Sequence, residues 1–109
     1  MEIKNNDTGK NSFEAGFEGN SAAEHLAKRQ HEGNYKNLTV EQYEAMALDL
    51  LQQDVGGDID GYETKNGKIV RWNKLTGDYA TGILDAKIKT MFPLVGGQKR
   101  FEKLRERDN

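Results

Sequence analysis

The residues with the most chemical capacity fall in two short stretches. The first is AAEHLAKRQH, where Lys28 and Arg29 follow His25 by three and four positions and His31 closes the segment. At helical spacing His25, Lys28 and Arg29 share one face. Histidine has an ordinary pKa of about 6.5, so either imidazole is suited to proton transfer near neutral pH. The second stretch is KIKTMFP, Lys87 to Pro93, with two lysines and a threonine ahead of the only proline in the chain. Ammonium groups and a hydroxyl held together suit an anion such as phosphate. The combined chemistry would be proton transfer beside a bound anion. Each feature also has an ordinary reading. A histidine on a polar helix face is most often only solvated, and Lys87 and Lys89 alternating with Ile88 describe a half-buried strand. Thr90 is the exception, because strict alternation puts it with Ile88 and Phe92. Either its hydroxyl is satisfied in the core or a bulge turns it toward the site.

Composition bounds what can surround these residues. A chain of 109 residues makes one domain with a single modest core. With 16 basic and 18 acidic residues the formal net charge is −2, which is not the signature of a general nucleic-acid binder. The charge is uneven, however: residues 64 to 109 hold eleven of the 16 Lys and Arg. That half can offer phosphate a basic surface despite the acidic total. The absence of cysteine excludes disulfides and thiolate metal sites, and two histidines without HExxH spacing give no zinc signature. Neither metal nor other cofactor is expected. No apolar run approaches the roughly 20 residues of a membrane span, and MEIKNNDTGK has no hydrophobic signal core. The chain reads as a piece of a larger protein, or as one moved by means it does not itself encode.

The elements that must position the two stretches follow from local signals. Residues 1 to 20, rich in Asn, Gly and Asp with only Phe13 and Phe17 as anchors, read as a flexible linker ahead of one domain over 21–109. Ser21 and Glu24 fit a capping box for a first helix ending at Gly33. Thr39 and Gln42 fit a second, with Leu38 and Tyr43 as a hydrophobic staple. Val40, Tyr43, Met46, Ala47, Leu50 and Leu51 then form a stripe of helical period, up to a stop at Val55-Gly56-Gly57. Beyond that the period switches to strands. Asn66-Gly67 marks a two-residue hairpin turn, and NKLTG, residues 73 to 77, marks a second turn. Four short runs imply an antiparallel meander whose last strand ends at Pro93. The tail GGQKRFEKLRERDN fits either an edge strand around Arg100 and Phe101 or a short basic helix. Trp72 and Tyr79 read as core or rim residues. The expected class is α+β, with two N-terminal helices on a four- to five-stranded antiparallel sheet.

In order, these elements are a histidine-bearing helix with Lys and Arg, the helix TVEQYEAMALDLL, the run GYETKNGKIVRWNKLTGDYATG, and KIKTMFP. This succession, over about residues 21 to 101, resembles the colicin D-like branch of the barnase, EndoU, colicin and RelE group of ribonucleases. Such domains commonly form the C-terminal toxin of contact-dependent inhibition (CdiA) and other polymorphic toxin systems. The resemblance implies a metal-independent endoribonuclease, with tRNA the expected substrate. It implies His25 or His31 as proton-transfer groups, Lys28, Lys89 and Thr90 at the reacting phosphate, and Arg29, Arg71 and Lys87 as RNA contacts. It further implies a cognate immunity protein, delivery as part of a secreted or cell-surface effector, and action in the target-cell cytoplasm. The competing reading is a non-catalytic binding or adaptor module with the same fold. A third reading is that cleavage needs a host protein as activator.

Overall fold

Capping chemistry sets the first two helices where the sequence marks them. A computed structural model describes residues 21–83 and 88–109; the linker expected over residues 1 to 20 and the RNA contact expected at Lys87 lie outside them. Helix α1 runs Ser21–His31. It ends in the motif that a left-handed residue allows: Gly33 has φ 95°, its amide bonds Gln30 O, and the Asn34 amide reaches back to Arg29 O at 2.8 Å. The Ser21 side chain lies outside the description, so the first capping box does too. Helix α2, Val40–Leu51, has the full box expected of Thr39 and Gln42. Gln42 N donates to Thr39 Oγ1 at 3.1 Å and Thr39 N donates to Gln42 Oε1 at 2.9 Å. The helix stops at Leu51, with Gln52 as its cap, ahead of the glycine pair expected to end it.

Strands β1 (Ile59–Glu63), β2 (Lys68–Asn73), β3 (Asp78–Ile83) and β4 (Ile88–Pro93) form an antiparallel meander in the order β1-β2-β3-β4. The first hairpin is one residue longer than Asn66-Gly67 suggests. Thr64 N bonds Lys68 O, Gly67 N bonds Thr64 O, and Gly67 takes φ 87°, so residues 65 to 67 make a three-residue loop with the glycine left-handed. In the second turn Asn73 Oδ1 accepts from the amides of Leu75 and Thr76.

Sequence analysis left the tail open between strand and helix. It is helix α3, Gly97–Asp108, and it turns the expected two layers into three. On one face of the sheet, Ala22 and Leu26 of α1 and Tyr43, Ala47, Leu50 and Leu51 of α2 pack on Ile59, Ile69, Ala80, Ile88 and Met91. On the other, Phe101 and Leu104 of α3 pack on Val70, Trp72 and Tyr79. Trp72 stacks on Phe101 at 5.0 Å between centroids, so this layer is built on aromatic contact. The last turn of α3 is tied down by Asp108, which accepts from the Tyr62 hydroxyl and pairs with Lys68 at 3.0 Å.

Arg71 occupies the face under α2. Its strand neighbours there are Gly61 and Ala80, small enough to leave room for a long side chain. Nε donates to Gln53 O just past the end of α2 at 2.8 Å and Nη1 to Val70 O at 2.8 Å, and Nη2 pairs with Glu63 at 3.4 Å. A cation beside a helix C-terminus is favourably placed against the helix dipole. A Cβ on Gly61 would lie 2.2 Å from Val70 O and 2.9 Å from Arg71 Cδ. Gly61→Ala is therefore expected to cost about 2 kcal/mol or more through backbone displacement. A urea melt with an unchanged midpoint would show that Gly61 is not needed for this packing.

Candidate functional site

The edge of the sheet at β4 is where α1 meets the strands. Ala22 and Leu26 bury one stripe of α1, and His25 and Arg29 flank it, half-buried and turned toward β4. Thr90 follows an irregularity in the strand. Thr81 pairs with Thr90 but Gly82 pairs with Ile88, so Lys89 is an extra residue at a β-bulge. Ile88 and Met91 consequently both enter the core beneath α1 and α2, while Phe92 joins the α3 face. Of the two alternatives for Thr90, the bulge is the one found. Thr90 Oγ1 lies 3.4 Å from His25 Nδ1, at the long end of hydrogen-bond range. Lys28 and Lys89 are both exposed.

Tyr43 of α2 fixes this edge from below. Its hydroxyl donates to Met91 O, and the Met91 amide donates back to the same oxygen at 3.2 Å. Arg29 Nε adds a bond to Met91 O at 3.3 Å, Nη1 pairs with Glu32 at 3.2 Å, and the guanidinium lies 5.3 Å from the centroid of Phe92. Arg29, expected to contact RNA, is at the site, but its donors already hold the strand. Sequence reasoning placed Tyr43 in the helix stripe and missed the job of its hydroxyl. The signal available was an OH-bearing ring at a stripe position where a plain apolar residue would serve packing alone.

The electrostatics favour a neutral imidazole. Burial lowers the pKa of His25 below its ordinary 6.5, and the charges of Arg29 and then Lys28 push the same way against a smaller opposing effect of Glu24. Burial raises the Tyr43 phenol above its ordinary value, more than its bond to Met91 and the nearby Arg29 offset. Tyr43 is therefore a neutral hydroxyl throughout the physiological range.

The structure thus brings His25, Arg29 and Thr90 together at one edge, with the exposed Lys28 on the same helix and Lys89 next to Thr90 in the strand, and it separates two expected members from them. His31 is exposed at the last position of α1, six residues beyond His25, which is roughly 9 Å along the helix and on a different face. Arg71 is two strands away, its side chain only 6% exposed. Its bonds to Gln53, Val70 and Glu63 make it a packing residue, so the RNA contact expected of it is replaced by a structural one. The site itself lies on the surface, with Lys28 and Lys89 exposed and His25, Arg29 and Thr90 partly buried. Two concavities, of about 110 Å³ between α2 and the β2–β3 turn and about 340 Å³ by the first hairpin, involve none of its residues. Among the described residues no group of three or more His, Asp or Glu is placed to hold a metal ion, and no helix is long and apolar enough to cross a membrane.

No family model, curated protein or solved structure matches the chain.

Replacing Tyr43 by Phe would remove the hydroxyl and leave the Met91 amide without it in a buried setting. The expected loss is about 1–2 kcal/mol of stability. Equal urea midpoints for the two chains would mean that the edge does not need this bond.

Proposed function

We propose that this chain is a metal-independent endoribonuclease of the polymorphic-toxin type, acting on tRNA or a comparably structured RNA. It would be restrained in its own cell by an immunity protein. The observation that supports this reading best is the approach of Thr90 to His25 across the α1–β4 edge, with Lys28 three positions from His25 on α1 and Lys89 next to Thr90 on β4, both exposed. The sequence of elements, which resembles the colicin D-like branch, is its second support.

The chemistry runs through these side chains. Cleavage requires a base for the 2′-hydroxyl proton, charge at the phosphorane-like transition state and a proton for the leaving 5′-oxygen. In the tautomer that donates Nδ1–H to Thr90 Oγ1 the basic nitrogen of His25 is Nε2, and the lowered pKa keeps the ring unprotonated at neutral pH. Attack of the 2′-oxygen on phosphorus then forms a cyclic phosphate as the bond to the 5′-oxygen breaks. Lys28 and Lys89 are the ammonium groups at hand, both for the developing negative charge and for the departing oxygen.

Incubation of the purified chain with total tRNA tests the reading. Discrete fragments with cyclic phosphate ends are expected, and His25→Ala should lose 100-fold or more of the rate, on the order of a general-base contribution. Intact RNA at high protein excess would instead favour the non-catalytic adaptor. Lys89→Ala should slow cleavage by roughly 100-fold while changing stability by less than about 0.5 kcal/mol, as exposed positions do. A Lys89→Ala chain that cuts at the parent rate would reduce KIKTMF to a structural strand.

The pH profile carries a sign. A base must be unprotonated, so activity falls as pH drops through the pKa of His25, and that pKa lies below 6.5. The acidic limb of the single-turnover rate is expected below that value, and a limb above it would remove His25 from the base role.

A further inference from the structure

Helix α3 has an exposed face that packing does not explain. Lys99, Arg100, Lys103 and Arg107 are all exposed. At 100° per residue they fall within an arc of about 100°, a basic ridge roughly 12 Å long. Phe101 and Leu104, the buried residues of the helix, lie outside that arc. So do Glu102, which pairs with Arg105, and Glu106, which flanks the ridge. Arg107 is 64% exposed and leans on Asp108 at 3.2 Å, whose other oxygen is taken by Tyr62 and Lys68. The placement also runs against local stability. The first turn of α3 contains no acidic residue and carries Lys99 and Arg100, and its N-cap, Gly96, supplies no side-chain bond. Cations at a helix N-terminus oppose the helix dipole. Four exposed cations on one face, two of them placed against the helix dipole, point to a ligand of opposite charge.

We propose that this ridge is a second RNA-phosphate surface, which supplies sequence-independent affinity while the β4 edge supplies the chemistry. The inference rests on the nuclease reading and extends it to the class of substrate: an RNA long enough to reach from the β4 edge to the ridge, not a mono- or dinucleotide. The two surfaces are joined through side chains. Arg29 lies over Phe92, Phe92 stacks on Tyr79 at 5.0 Å, and Tyr79 packs edge-on against Phe101 of α3 at 6.3 Å. Along the chain β4 ends at Pro93 and α3 begins at Gly97, so the first turn of the ridge follows the site's strand after a three-residue link. The net charge of −2 makes such a local ridge the means by which an acidic chain can hold a polyanion.

The test is binding of a fluorescently labelled RNA stem-loop to the full chain carrying His25→Ala, which keeps the RNA intact, titrated between about 50 and 200 mM salt. Adding Lys99→Gln, Arg100→Gln and Lys103→Gln should weaken binding about tenfold or more at the low end. It should also flatten the dependence of log K on log salt by about two to three, since each of the three lost phosphate contacts removes somewhat less than one. Glu106→Gln alone should tighten binding. Circular dichroism melts of the variants show whether the fold is intact. Unchanged affinity and slope in the folded triple variant would overturn the proposal and leave the ridge to another partner, such as an acidic protein. Failure of the parent to bind the stem-loop would overturn it as well. Cleavage by the unmodified chain is scored separately, so RNA held through α3 but never cut would remove the nuclease reading and leave the ridge standing.

Discussion

One phenolic oxygen closes the exposed side of the last strand, and the arrangement of α1, α2 and the site depends on it. A meander has two outer strands whose main-chain groups have no strand partner, a liability that folded proteins must cover. At β4, the Tyr43 hydroxyl takes both the amide and the carbonyl of Met91, and Arg29 adds a bond to the same carbonyl. At β1, Arg105 of α3 does the equivalent work, bonding Gly61 O at 3.1 Å and Asp60 at 3.1 Å. Each edge is thus sealed by a helix that already packs on a face of the sheet. Met91 can be buried under α1 and α2, and Thr90 beside it can be presented to His25, because the strand between them cannot move away.

The same economy appears in the loop between α1 and α2. Tyr35 has φ 54°, a left-handed conformation that costs a residue with a Cβ of order 1 kcal/mol. Its surroundings hold it there. Gln30 Nε2 donates to the carbonyls of Tyr35 and Leu38, the Tyr35 hydroxyl donates to Asp78 at 2.6 Å, and its ring sits 5.6 Å from that of Tyr43. The loop therefore links the end of α1 to the start of β3, and it braces the tyrosine that seals β4.

Local rules made much of this legible. The capping box at Thr39, the left-handed Gly33, the Asn73 turn and the end of β4 at Pro93 are each set by residues within a few positions of one another. What depended on the opposite side of the molecule was not legible. The tail carries only Phe101 and Leu104 as buried positions, too thin a stripe to choose helix over strand. The hint lay in β2, where Ile69, Val70, Arg71 and Trp72 are all buried in succession, the pattern of a strand covered on both faces. Arg71 looked like a surface cation because charge gives no sign of burial, and only the facing Gly61 and Ala80 reveal its berth. For the site, helical spacing put His25, Lys28 and Arg29 together. The placement of Thr90 hinged on a bulge that alternation can flag but not locate.

The neighbour-to-neighbour order of the strands has a consequence for how the site comes into being. Every strand pairing joins adjacent segments through a short connection, so the sheet can assemble from loops that are inexpensive to close. The contact between Thr90 and His25 spans 65 residues and needs α1 docked on a finished β4. Its closure entropy is among the largest in the domain. Hairpins can therefore be present in a chain whose site does not yet exist. The arrangement at this edge belongs to the fully folded molecule, and a partly unfolded one would carry the same residues with nothing to bring them together.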